Sequence, residues 1–230
     1  MLMFELMPRP SRHAVLGDGP GTVHVIVRFV NGEHFLEQES LKEVLYASLC
    51  RNKKRFDIEV YAYCFMSSHY HLDLHFESTD KLSGYFQAVN CELATAINRI
   101  RGRTGHVLGD RPKSPLIQDG RHLLTTMRYM DLNPVRACMV EKAHHYAWSS
   151  YRHYAFGEPD ELIDDAPDYL GLSSSPALRR KIYRELVNTM AGGGRTKRPE
   201  YDVWTFIGEP DWRFMKLRTG GFLRPRKPPG

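Results

Sequence analysis

A chain of 230 residues can bury one good core, and its length alone does not force a second full-sized domain. Lysine and arginine exceed aspartate and glutamate by 32 to 27, a net charge of +5 with histidines neutral, which favours an anionic partner. The four cysteines, Cys50, Cys64, Cys91 and Cys138, lie far apart without CxxC spacing, and eighteen uninterrupted apolar residues occur nowhere, so a disulfide framework, a cysteine zinc site and a membrane span are all disfavoured and a reducing cytoplasm is expected.

"TVHVIVRF" (22–29) alternates Val23, Val25, Val27 and Phe29 against Thr22, His24, Ile26 and Arg28, the period of a strand with one buried face. From Ser40, a candidate N-cap, Leu41, Val44, Leu45 and Leu49 fall at helical spacing and end in the basic run "RNKKR". "IEVYAYCF" (58–65) and "HYHLDLHFE" (69–77), separated by "MSS", predict a hairpin. Leu82, Phe86, Val89, Leu93, Ile97 and Ile100 form the stripe of a long amphipathic helix ending before Gly102. "SPLIQ" (114–118) predicts a fourth strand, and "GRHLLTTMRYMDLNP" a helix with Leu123, Leu124, Met127 and Met130 on one face, interrupted at Pro134. Strand, helix, strand, strand, helix, strand is the split βαβ order of an α+β, ferredoxin-like antiparallel sheet, expected here with helices on one face.

The acidic, proline-bearing stretch 158–168 predicts a boundary, dividing a main domain (1–157) from a linker and helical, basic extension (158–230). In that extension "SPALRRKIYRELVNTM" is helical, "AGGGRTKRP" (191–199) is expected to be flexible, and Arg224, Arg226 and Lys227 lie in a basic tail.

In a strand, residues i and i+2 share a face, so His69 and His71 point the same way as Asp73, His75 and Glu77, and Tyr70, Leu72, Leu74 and Phe76 point to the core. A histidine pair on a solvated sheet face is one reading of the triplet. The other is a metal site. Two imidazoles whose backbones are about 7 Å apart can converge on one ion but need a further ligand. "YMDLNPVRA" offers oxygen chemistry: Tyr129 and Asn133, four apart, share one face of a helix, opposite the Leu123, Met127 and Met130 stripe.

At these residues the sequence resembles the single-tyrosine HUH transposases, in particular the branch associated with repetitive extragenic palindromes. "YCFMSSHYHLDLHF" resembles that family's histidine-hydrophobic-histidine strand and "RYMDLNPVRACMV" its tyrosine helix. "GRTGHVLGDRPKSPLI" and "YAWSSYRHY" resemble the flanking segments, so the likeness runs from about Gly21 to Tyr154. It departs at Ser67-Ser68, where the family usually has proline and asparagine, and at Arg111-Pro112-Lys113.

The resemblance implies that His69, His71 and Asn133 bind a divalent metal, Mg2+ or Mn2+, and that Tyr129 is the nucleophile. It implies a DNA endonuclease and strand transferase acting on single-stranded or hairpin DNA through a 5′-phosphotyrosine intermediate, in a bacterial, DNA-associated, cytoplasmic protein that is a monomer or homodimer. DNA contact is expected around "NRIRGRTGHVLGDRPKS", where Arg99, Arg101, Arg103, Arg111 and Lys113 are interleaved with glycines. Two other readings stay open: a DNA-binding module on the same fold without activity, and a zinc hydrolase using the histidine pair with Asp73 or His75.

Overall fold

The computed structural model describes residues 4–6, 13, 16–109, 111–118, 120–189, 206–219 and 223–225. The stretch 191–199, expected to be flexible, and Arg226 and Lys227 of the basic tail lie outside them, as does the side chain of Arg224. The main elements are β1 (Phe4–Leu6), β2 (Gly21–Arg28), α1 (Glu39–Phe56), β3 (Ile58–Phe65), β4 (His69–Phe76), α2 (Thr79–Ile100), β5 (Leu116–Ile117), α3 (Gly120–Asp131), α4 (Asn133–Arg136), α5 (Tyr151–Phe156), α6 (Pro167–Leu170), α7 (Pro176–Asn188), β6 (Phe206–Ile207), α8 (Pro210–Thr219) and β7 (Leu223–Pro225).

The main sheet has the order β3-β4-β2-β5-β6. β4 runs antiparallel to both β2 and β3, and β5 antiparallel to β2, so each helical crossover joins parallel strands that flank a third. This is the split βαβ arrangement expected from the element order, with β6 added parallel to β5 at the edge. β1 and β7 form a separate two-stranded pair.

The valines of β2 and Tyr70, Leu72, Leu74 and Phe76 of β4 are buried together with Leu41, Leu45 and Leu49 of α1 and Leu82, Phe86, Val89 and Leu93 of α2. Helix α1 begins after Gln38 rather than at the expected Ser40. Ser78 caps α2 by accepting from the Asp80 amide. Where Gly84 of α2 meets Phe56 at the end of α1, a Cβ on Gly84 would stand 2.6 Å from the Phe56 ring, so a larger residue there would have to displace that ring.

The helices are not confined to one face. Tyr70 points into α2, where its hydroxyl donates to Asn90 at 2.8 Å, whereas Asp73, of opposite parity on the same strand, accepts from Thr126 of α3 at 2.7 Å. Helix α3 therefore covers the histidine face. At the centre of that face His24, His71 and Asp73 are buried and pair with one another, which composition alone does not display.

The stretch 158–168 packs inward. Asp160 accepts from Tyr46 and Tyr63, Leu162 is fully buried, and Asp164 pairs with Lys53 at 2.9 Å and accepts the Val60 amide. Beyond it, Tyr169 and Tyr183 join Tyr151 and Tyr154 in an aromatic cluster against α5. Among the described residues, no helix is long and apolar enough to cross a membrane.

Candidate active site

The β2–β4 register sets the site. His24 lies opposite Asp73, Ile26 opposite His71, and Arg28 opposite His69. Directly paired residues share a face, so His24, Ile26 and Arg28 line the same surface as His69, His71 and Asp73. Lys113 bridges to Ile26 from the other side, which brings a second cation into the row that holds His71.

His24, His71 and Asp73 are buried. His24 Nδ1 is 2.7 Å from Asp73 Oδ1, and His71 Nδ1 is 3.2 Å from His24 Nε2. His69 is half-buried, its Nδ1 lies 3.1 Å from Ser68 Oγ, and its ring centroid is 4.9 Å from that of His71. The pair is thus brought together as the spacing predicts.

Tyr129 reaches this face from α3. Its ring stands edge-on to His71 at 6.1 Å and to His24 at 6.5 Å between centroids. Tyr129 follows Thr126 by three residues, so the strip of α3 that holds Asp73 also delivers the phenol to the histidines. Arg136 places its guanidinium 5.0 Å over the Tyr129 ring, and its Nη1 donates to the Tyr129 carbonyl oxygen.

Asn133 is not on the same helix as Tyr129. Pro134 lacks an amide hydrogen and crowds the preceding turn, so α3 stops at Asp131 and Asn133 opens α4. It is 9% exposed, and its Nδ2 has no hydrogen-bond partner among the described residues.

These side chains fit a divalent cation by their chemistry. Both imidazoles have Nδ1 held by a neighbour, the arrangement that orients a histidine ligand through its other nitrogen, and a buried amide lies one turn past Tyr129. Among the described residues no group of three or more histidine, cysteine, aspartate or glutamate side chains is placed to hold a metal, so an ion here would need donors of another kind beside the two imidazoles. Asp73 and His75, the further ligands of the hydrolase reading, are committed elsewhere. Asp73 binds His24 and Thr126, while His75 stacks on Tyr61 with its Nδ1 3.1 Å from Thr22 Oγ1.

The five basic residues expected at the DNA divide by position. Arg111 and Lys113 line a cleft of about 560 Å³ together with Arg28, Phe29, His106 and Leu108. Arg103 instead lies 5.1 Å over the Phe35 ring and donates to the His106 carbonyl oxygen, which ties down the loop. Arg99 and Arg101 are exposed at the end of α2.

The fold is similar to that of a solved REP-associated tyrosine transposase bound to a REP hairpin. The TM-score is 0.54 at 16% sequence identity, over 70% of this chain and 93% of that one. No protein-family model matches the chain. No curated protein matches it either.

Sequence reasoning missed His24, Arg28, Thr126 and Arg136. The alternation of 22–29 already put His24 and Arg28 on the face away from the valines, but their partners depend on strand register. Thr126 carried a signal in its spacing, three residues before Tyr129 on the same helix, whereas Arg136 lies on the next helix and its place over the Tyr129 ring depends on the turn between them.

Proposed function

We propose that this protein is a metal-dependent endonuclease and strand transferase for single-stranded DNA next to hairpins. The observation that carries this reading is the approach of Tyr129 to the buried His71 and His24 across one sheet face. The similarity of fold to a tyrosine transposase bound to a hairpin supports it.

In this reading Tyr129 Oη attacks the scissile phosphorus as the P–O3′ bond breaks, the phosphate passes to the tyrosine as a 5′-phosphotyrosine, and the departing 3′ oxygen takes up the equivalent of the phenol proton to become a 3′ hydroxyl. The attacked bond is replaced by another phosphodiester, so the strand can be rejoined without an external energy source. His69, His71 and Asn133 would hold a divalent ion, which when bound supplies charge neutralisation at the phosphate oxygens. Arg136 orients the Tyr129 ring and favours its anionic form as the proton leaves. Arg28, Arg111 and Lys113 receive the flanking phosphates.

The test is a strand-polarity experiment. Single-stranded hairpin DNA is labelled on one side or the other of the cleavage point and incubated with the protein and Mn2+ or Mg2+. Only the label 3′ of the break should stay with the protein on a denaturing gel. Retention of the 5′ side, or release of both, would reject the 5′-phosphotyrosine reading.

A further inference from the structure

We propose that Asp73 and His24 are positioning residues that lock His71 as its Nδ1–H tautomer, so that the ring presents its Nε2 lone pair as the donor atom. The inference rests on the reading of His71 as a metal ligand.

The argument is one of hydrogen-atom accounting along a buried chain. Thr126 Oγ1 is 2.7 Å from Asp73 Oδ2 and 2.8 Å from the Leu123 carbonyl oxygen, and a hydroxyl has a single proton. Thr126 Oγ1 donates to Asp73 Oδ2. Asp73 as a carboxylate has no hydrogen to give at Oδ1 either, so the hydrogen in the 2.7 Å contact belongs to His24 Nδ1.

A neutral imidazole with hydrogen on Nδ1 has its lone pair on Nε2. With His24 as the neutral imidazole, its Nε2 accepts across the 3.2 Å contact and His71 Nδ1 donates. The lone pair of the neutral His71 ring is then on Nε2. Three residues from two strands and a helix thus settle a choice that an isolated imidazole leaves open. His24 and Asp73 are fully buried, so no solvent competes for the chain, and α3 places Tyr129 three residues after its anchor Thr126. One device registers both the donor nitrogen and the helix that carries the nucleophile.

The same accounting predicts which substitutions matter. In Asp73→Asn the amide oxygen can still accept from His24 while its NH2 donates to Thr126, whose proton goes to Leu123, so the chain survives. In Asp73→Leu, of similar bulk, the acceptor is lost and the His71 tautomer is released.

The experiment is nitrogen-15 NMR of histidine-labelled protein without metal or DNA, with the His71 signals assigned by their loss in His71→Gln. It is joined to Mn2+ titration of each variant. Expected are an Nδ1–H, Nε2-unprotonated His71 in the wild type and in Asp73→Asn, with unchanged Mn2+ affinity in the latter. Asp73→Leu should show a mixed tautomer and an affinity about 10- to 100-fold lower. A wild-type His71 carrying its hydrogen on Nε2 would overturn the inference, as would an Asp73→Leu protein that keeps the Nδ1–H form and full Mn2+ affinity. The wild-type measurement needs no variant to fold. It is also independent of DNA cleavage: a covalent adduct formed by a protein whose His71 is Nε2–H leaves the proposed function standing and removes this one.

Discussion

The Tyr183 hydroxyl of α7 donates to Asp131 at 2.6 Å, and Asp131 sits two residues beyond Tyr129 at the end of α3. Burial pushes the Asp131 carboxyl up to about 7, the Tyr183 hydrogen bond pulls it down, and the nearby Asp73 charge raises it. A folded-state pKa above the ordinary aspartate value near 4 means that the folded protein keeps a proton which the unfolded chain has already lost. The contribution of Asp131 to stability is therefore greatest below about pH 4, falls as the pH rises to about 7, and levels off above. The total loss is on the order of 4 kcal/mol for a shift of this size. Denaturant unfolding at a series of pH values should show that slope, and Asp131→Asn should flatten it. An unchanged slope in Asp131→Asn would assign the dependence to other groups.

Arg136 can be examined through the rate of cleavage. Its guanidinium gains attraction for the Tyr129 ring as the phenol becomes an anion, so Arg136→Ala should slow single-turnover cleavage about tenfold, equivalent to roughly 1.4 kcal/mol. Arg136→Lys should recover part of the loss. DNA affinity at constant salt should fall much less than the rate; if affinity alone falls, Arg136 is a phosphate contact.

The two strand histidines are separable from the third. His69→Ala and His71→Ala should abolish stabilisation by Mn2+ in thermal unfolding, where a hundredfold excess over Kd adds about 2.7 kcal/mol in the wild type. His75→Ala should retain it, because His75 is held against Tyr61 and Thr22. Loss in His75→Ala with retention in His71→Ala would reverse the ligand assignment.

For DNA binding, the cleft residues should carry more than the end of α2. Lys113→Ala, in the row of His71, should weaken binding across sequences and reduce the slope of log affinity against log salt by about one. Arg103→Ala should act in part through the loop, because that guanidinium covers Phe35, and its thermal stability should drop as well. Equal salt slopes for wild type and Lys113→Ala would place the DNA path elsewhere.

How far these features could be read from the sequence follows from their physical range. The strands of 58–65 and 69–76 and the helix of 79–100 announce themselves by period, and the shared face of His69 and His71 follows from the period of two. The pairing of His24 with Asp73 does not, because register is a property of two strands and a turn. Nor does the burial of the histidine face: an ionisable face reads as solvated until a helix brings Thr126 to Asp73. Phe206 and Ile207 form too short a strand to show any periodicity, and only their parallel pairing with β5 reveals them. Asn133 and Tyr129 are four apart as a helix requires, yet one helix ends at Asp131 and another opens at Asn133, just before Pro134.

The most direct measurement is peptide mapping of the covalent complex formed with single-stranded hairpin DNA and Mn2+, run beside Tyr129→Phe. That substitution removes only the attacking oxygen, so folding and hairpin binding should persist. The account predicts a nucleotide-bearing peptide at Tyr129 in the wild type, no adduct in Tyr129→Phe, and little adduct on an uninterrupted duplex of the same sequence. An adduct of undiminished yield in Tyr129→Phe, or one mapped to another residue, would contradict it.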